Sequence, residues 1–314
     1  MWIYTTRPGY AADLAEEVGG RAEGEALVRA ERAPATWPIF ARAGFPLAAE
    51  VHPSEAAAVV SRLVEGRKPW LLLAWVPDSD AQNPLSPAAQ AIGDRTLAEL
   101  ARAGKHPSGP EAARYGGVLV QLCLAGPDRL LVGALPAAES PTLRPGGRAR
   151  AAMPGDAPSR AGRKLAEAFE WIGRGPEPGE LCVDLGAAPG GWSAVLLARR
   201  ARVVAVDPAH LTLRARKGLV HVKASAFDFV PDEPVDWLLC DMAWRPLEVA
   251  QLLAKWGRRR LATALVANIK LPMKQRVAFA RRVVGIVAGG GWQDVRARQL
   301  YHDRDEVTLA AWRT

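Results

Sequence analysis

The 314-residue sequence is poor in cysteine (three), methionine (four), tyrosine (four) and lysine (eight), and it has no long hydrophobic run. No segment approaches the roughly 20 uninterrupted apolar residues of a membrane-spanning helix, so no membrane partner is expected. Cys123, Cys182 and Cys240 are far apart in apolar segments and form no C-x-x-C pair. That spacing argues against a disulfide framework or a zinc site and predicts buried free thiols in a reducing compartment. The N-terminus, Met1-Trp2-Ile3-Tyr4-Thr5-Thr6-Arg7, lacks the basic-then-apolar layout of a signal peptide. With 49% hydrophobic and 24% charged residues, the expectation is a cytoplasmic globular protein with room for two cores. No His/Asp/Glu cluster has metal-ligand spacing, so no metal is expected.

Charge is unevenly placed. Residues 1–150 hold 16 basic and 16 acidic side chains, whereas residues 151–314 hold 25 and 17, so the net +8 belongs to the second half. A basic half facing a polyanion such as nucleic acid is one reading. The other is a composition rich in arginine, since 33 of the 41 basic residues are Arg.

The first 145 residues read as a small α+β unit with no internal repeat. Met1–Thr6 predicts a strand, and Tyr10–Val18 has helical apolar spacing. Ser54–Leu63 reads as a helix with Ser54 as its N-cap, Trp70–Val76 as a buried strand, and Ser86–Ala103 as another helix. Val118–Leu124 and Leu130–Leu135 are expected to pair as a hairpin around Gly126-Pro127-Asp128. A stretch rich in Pro, Gly and Ala, 137–158, connects to the second unit, with the boundary set at 145/146.

From there strands and helices alternate. A helix capped by Ser159 runs to Ile172. The strands are Leu181–Leu185, Arg202–Val206, Leu219–Val222, Val235–Cys240 and Ala262–Ala267. Helices are expected at Trp192–Arg200, Pro246–Trp256 and Pro272–Ala288. The pattern predicts a mostly parallel α/β sheet covered on both faces. Trp292–Leu300 and Glu306–Trp312, joined by Tyr301–Asp305, would close it with an antiparallel hairpin.

The sharpest local signal is Val183-Asp184-Leu185-Gly186-Ala187-Ala188-Pro189-Gly190-Gly191-Trp192-Ser193, an apolar strand running through small residues into a helix. Such a turn lets backbone approach a ligand at the C-terminal edge of a parallel sheet. Pro189 and the Gly190-Gly191 pair do not fit G-x-G-x-x-G, and the Lys-Ser/Thr of a phosphate loop is missing. Sixteen residues beyond Gly191, Asp207 ends the next strand, where a carboxylate can accept from both hydroxyls of a ribose. A nucleoside with no pyrophosphate to hold points to S-adenosylmethionine.

Four charged residues fall on the same rim: Lys164 near a helix start, Asp241 and Lys270 after apolar strands, and Glu306 at the start of the last strand. A lysine at the end of a buried strand is costly unless it is paired or neutral. In a chain that otherwise uses Arg, Lys at 164 and 270 favours titratable amines over permanent cations.

DLGAAPGGWS, the upstream SRAGRKL and the ordered Lys–Asp–Lys–Glu set resemble the FtsJ-type ribose 2′-O-methyltransferases. MPGDAPSRAGRKLAEAF, CDM at 240–242, NIKLPMKQR at 268–276 and RQLYHDRDEVT at 298–308 are similar to the bacterial branch that methylates a cytidine of 23S ribosomal RNA. The likeness is strong over 154–314. It is looser in the first half, where Arg7-Pro8-Gly9-Tyr10 and Phe40-Ala41-Arg42 resemble a THUMP-like RNA-binding region. The resemblance implies a Rossmann-like class I methyltransferase domain preceded by a smaller α+β THUMP-like domain. It makes Lys164, Asp241, Lys270 and Glu306 the catalytic tetrad. Gly186, Ala188, Pro189, Gly190, Gly191, Trp192, Asp207, Ser225 and Asp241 become contacts for S-adenosylmethionine. Where the family has an acid beside the adenine, this chain has Ser225, and the nearest carboxylate is Asp228, so the adenine contact is left to a serine hydroxyl or a backbone group.

Methyl transfer from a sulfonium to a sugar hydroxyl needs alignment and proton removal. The expected base is Lys270, with its neutral amine favoured by the charge of Lys164 and by partial burial. Asp241 is expected to orient Lys270, and Glu306 to hold Lys164. Arg258, Arg259, Arg260, Lys274, Arg276, Arg281, Arg282, Arg296 and Arg298 are candidate phosphate contacts, with part of that set simply solvated. Trp70, Trp75 and Trp244 are candidates for base stacking, with core packing the stronger reading for the first two. The partner is 23S ribosomal RNA, reached most easily before assembly is complete, and the default state is a monomer. Competing readings are 2′-O-methylation of tRNA or another ribosomal site, and a non-catalytic RNA-binding assembly factor. A DNA methyltransferase is disfavoured, because Asp241-Met242-Ala243-Trp244 stands where a (D/N)PP(Y/F) signature would be.

Overall fold

The computed structural model describes residues 1–314 apart from 34, 68, 151–153, 156 and 314. Part of the connecting stretch therefore lies outside the described residues. The chain divides within that stretch into two compact units, Met1–Arg148 and Ala149–Thr314. No helix among the described residues is long and apolar enough to cross a membrane.

The first unit runs β1 (Trp2–Thr5), α1 (Ala11–Val18), β2 (Arg21–Ala22), β3 (Leu27–Ala30), β4 (Ala43–Val51), α2 (Ala56–Leu63), β5 (Trp70–Trp75), α3 (Ser86–Arg102), α4 (Pro110–Arg114), β6 (Val118–Gly126) and β7 (Arg129–Pro136). The sheet order is β2-β3-β1-β4-β7-β6-β5, antiparallel at each junction except the parallel β5–β6 pair. Sequence reading missed β2, β3 and β4. β4 carries Pro46 and small residues without clean alternation, and its register shifts between Leu47 and Ala49. Ser54 does not cap α2. It lies in a 3-10 turn, Pro53–Glu55, where its N–H donates to His52 Nδ1 at 3.3 Å.

Trp70 and Trp75 build this unit's interior, as the core-packing reading had it, and so do Phe40 and Arg42. Trp70 and Trp75 are buried, and the Trp75 indole donates to Gln121 Oε1 at 3.0 Å. Phe40 is buried against Tyr10, and the buried Arg42 pairs with Asp78 at 2.8 Å.

The second unit runs α5 (Gly162–Ile172), β8 (Leu181–Leu185), α6 (Gly191–Ala198), β9 (Arg202–Val206), β10 (Leu219–Val222), β11 (Val235–Cys240), α7 (Pro246–Arg258), β12 (Ala262–Lys270), α8 (Arg276–Ala288), β13 (Gln293–Arg298) and β14 (Glu306–Trp312). Its sheet order is β10-β9-β8-β11-β12-β14-β13. Strands β10 through β12 are parallel, and β14 and β13 join antiparallel. From β8 the chain winds outward through β9, and from β11 it winds the opposite way through β12. Right-handed crossovers then put α6 and α7 on opposite faces. The reversal leaves a crevice beyond the C-terminal ends of β8 and β11, the general ligand position in open α/β sheets. Leu165, Trp192, Leu196, Trp237 and Leu239 pack the core beneath it.

Among the boundaries that differ from expectation, three bear on the site. β12 continues to Lys270, which is the last strand residue rather than a loop residue. α8 begins at Arg276 because Gln275 takes a left-handed φ of 56°. α5 begins at Gly162, and Ser159 makes no capping bond.

Candidate active site

β8 ends in a turn that only glycine permits. Gly186 has φ +76°, and a Cβ there would stand 2.6 Å from Met242 Cγ; Gly190 has φ +114° and would meet Leu213 Cβ at 2.8 Å. The missing side chains let the β8 and β11 loops close together around a cavity of about 520 Å³. Gly186 and Ala188 line it on one side, Asp207 and Pro208 on another, and Ser225 to Phe227 and Asp241 to Trp244 complete it.

The cavity's polar groups are held in place. Asp207 Oδ2 accepts the Ala188 N–H at 3.0 Å, and Oδ1 accepts that of Ala209 at 2.8 Å. Ser225 lies in the lining, whereas Asp228 is exposed and outside it. Trp192 turns away: its indole is buried in the core and donates to Ala161 O at 3.1 Å. Any ligand contact at that position falls to its backbone. Pro189, Gly190 and Gly191 shape the turn without lining the cavity.

The four charged residues converge beside it. Lys164 Nζ donates to Glu306 Oε2, and Lys270 Nζ donates to Oε1 of the same carboxylate. Asp241 Oδ1 lies 3.7 Å from Lys164 Nζ, and Asp241 also lines the cavity, so one residue belongs to both features. This corrects the expected pairing. Glu306 bridges both lysines rather than serving Lys164 alone, and Asp241, expected to orient Lys270, forms its ion pair with Lys164. The β12–β14 register explains it, because Lys270 and Glu306 are direct cross-strand partners.

Burial alone would lower the Lys164 pKa, yet the charges of Asp241 and Glu306 outweigh it and raise the value. Burial works the other way on Glu306 and is again outweighed, so the two lysines hold its carboxyl below the usual range. In Asp241 burial prevails and the pKa rises. The Glu306 side chain is 5% exposed and that of Lys270 46%, so the carboxylate is sealed behind while Lys270 faces outward.

Sequence reading missed two supports of this cluster. Asn268, two residues before Lys270 on the same strand face, reaches Glu306 Oε2 at 3.3 Å, and its Oδ1 accepts from Thr308 Oγ1 at 2.7 Å. Glu167, one helical turn after Lys164, accepts the N–H groups of Tyr301 and His302 at 2.7 and 3.0 Å and pairs with His302 Nδ1 at 2.7 Å. It straps the Lys164 helix to the loop leading into Glu306. The i, i+3 and i, i+2 spacings were the available signals.

Asp184, inside the strand, is wholly buried; Oδ2 accepts from Ser193 Oγ at 2.7 Å and Oδ1 has no partner. Burial, with help from the charges of Asp241 and Asp207, pushes its carboxyl up to about 7. An acid raised on folding costs nothing below its ordinary value of 3.8, and its ionisation erodes stability as pH rises toward 7. The erosion is on the order of 1 kcal/mol per pH unit. Urea midpoints of wild type and Asp184→Asn between pH 4 and 8 should therefore shift progressively in the variant's favour. Parallel curves would contradict the assignment.

The basic residues divide by position. Lys274, Arg276, Arg281 and Arg282 follow Lys270 in the loop and in α8. Arg258, Arg259 and Arg260 sit at the end of α7, just before β12 starts, on the opposite edge of the sheet from Lys270. Arg298 is buried and unavailable to phosphates, and Arg296 pairs with Asp294 at 2.5 Å.

A methyl donor built on a nucleoside fits these residues. Small and apolar groups line most of the cavity, and Asp207, just past the end of β9, stands in that lining where a carboxylate can accept from ribose hydroxyls. Residues 157–269 match the FtsJ-like methyltransferase family model, which defines the class. The chain is 34% identical over 290 residues to ribosomal RNA large subunit methyltransferase M of Xanthomonas oryzae pv. oryzae, covering 88% of this chain and 82% of that protein. The same-named proteins of Alkalilimnicola ehrlichii and Halorhodospira halophila are 32% and 34% identical over 99% of this chain and 94% and 96% of theirs. The chain belongs to the ribosomal RNA large subunit methyltransferase M family.

Proposed function

We propose that this protein methylates the ribose 2′-hydroxyl of a cytidine in 23S ribosomal RNA, using S-adenosylmethionine. Family membership supports the methyl donor and the ribosomal RNA substrate. The observation that carries the sugar-oxygen chemistry is the Lys270–Glu306–Lys164 bridge, joined to the donor cavity through Asp241.

Bound S-adenosylmethionine supplies a methyl group on a sulfonium, an electrophile that needs no further activation. Lys270 Nζ takes the proton of the attacking hydroxyl, which is a poor nucleophile while it retains that proton. The ammonium so formed lies against Glu306 Oε1, so the charge created in the step is neutralised in place. Lys164 holds the other oxygen of Glu306, and Asn268 and Asp241 limit the movement of both. Because Lys270 ends a rigid strand, alignment is built before substrate arrives.

Lys274, Arg276, Arg281 and Arg282 supply phosphate contacts whose contribution falls with salt. The first unit acts as a THUMP-like RNA-binding domain, a role supported by the resemblance at Arg7–Tyr10 and Phe40–Arg42. Three buried free thiols fit the reducing cytoplasm.

The test is mass mapping of 23S RNA and tRNA treated separately with enzyme and donor. One ribose-methylated cytidine in 23S RNA is expected. Ribose methylation confined to tRNA would contradict the substrate.

A further inference from the structure

Trp244 is half-exposed, at 52%, yet it is fixed: its Nε1 donates to Glu248 Oε2 at 2.7 Å, and Arg245 holds the other oxygen of Glu248 at 3.0 Å. The ring lines the donor cavity together with Phe227. Their centroids are 5.9 Å apart and the planes meet at 56°, so neither ring covers the other's face. A flat aromatic ligand in the cavity therefore meets a pre-positioned, half-exposed indole that Phe227 does not stack on.

The polar side of the cavity is sparse. Of its three polar side chains, Asp207 accepts from two backbone N–H groups and Asp241 faces Lys164. Ser225 is the third, and its Oγ already accepts the Phe227 N–H at 3.2 Å, leaving its O–H and one lone pair for a ligand. The nearby carboxylate, Asp228, does not line the cavity. A carboxylate beside a purine only accepts and so demands an amino group. A hydroxyl both donates and accepts, and serves an amino or an oxo group equally.

We propose that this chain grips the purine of its methyl donor by the ring face, with Trp244 as the outer wall, and reads the purine edge only through a serine hydroxyl. The inference rests on S-adenosylmethionine being the ligand of this cavity. It makes Trp244 the main source of purine affinity and leaves the site indifferent to the substituent at the purine 6-position.

The test is calorimetric binding to the whole chain of S-adenosylhomocysteine and of its 6-oxo analogue, S-inosylhomocysteine. Wild type should bind the two within about threefold of each other, because Ser225 meets either group. Trp244→Ala should weaken both by about tenfold, the loss of one stacking partner, and Trp244→Phe should recover most of it. Thermal midpoints should stay unchanged, since the ring is half-exposed. Trp244→Ala binding as tightly as wild type would overturn the proposal, as would a wild-type preference above about thirtyfold for the adenine ligand. Wild type binding neither ligand would overturn the donor assignment itself, an outcome distinct from the other two.

Discussion

Lys270→Ala is expected to abolish detectable methyl transfer, a loss of about 10²–10⁴-fold from the missing general base. S-adenosylhomocysteine affinity should remain within about twofold of wild type, since the side chain leaves the donor's own contacts untouched. The separation follows from geometry, because Lys270 is bonded to Glu306 and is not among the residues lining the donor cavity. Fold should be little affected, because the Lys270 side chain is nearly half exposed and its backbone remains paired in β12. Single-turnover transfer beside calorimetry of the same preparation makes the check. Turnover near wild type would remove Lys270 from the chemistry.

Glu306→Gln should cost both activity and stability. The amide offers one oxygen where the amines of Lys164 and Lys270 now share a carboxylate, so Lys164 is left in a largely buried position without its bonded partner, with Asp241 at 3.7 Å. Breaking a buried pair from one side typically costs about 3–5 kcal/mol, and the exposure of Lys270 discounts this to roughly 2–4 kcal/mol. The pH dependence has a definite sign. Glu306 has a lowered pKa in the fold, so its contribution is present above the unfolded value of 4.5 and is lost as pH falls through the lower folded value. The stability gap between wild type and variant should thus be full at pH 7 and close below pH 4.5, read by denaturant titration. A gap that persists unchanged into acid would show that Glu306 stabilises by packing rather than by charge. Transfer should fall at least as far as in Lys270→Ala, because the ammonium formed on Lys270 would have no anion against it.

Much of the catalytic unit was legible in the sequence because its signals are local. Apolar strands broken by small residues gave the turn at Gly186–Gly191, and strand ends gave the rim carrying Asp241 and Lys270. The pairing within the cluster was not legible, since it depends on the β12–β14 register, which sets Lys270 opposite Glu306. Trp192 misled for a related reason. Motif position put it at the turn, but the α6 helical phase points its indole into the core. Ser159 was read as a helix cap from residue type alone, whereas the helix starts three residues later and leaves the hydroxyl against Gly191. In the first unit β4 stayed hidden because Pro46 and small residues blur the alternation that marks a strand. The buried Arg42 and Arg298 show why charge counts overstate a binding surface.

The most direct test is nucleoside mass spectrometry of 23S RNA after reaction with wild type and with Lys270→Ala. The expected result is 2′-O-methylcytidine with wild type and none with the variant. A methyl group found on a base, or on the ribose in equal amount with both proteins, would contradict an amine at position 270 delivering the sugar oxygen to the donor.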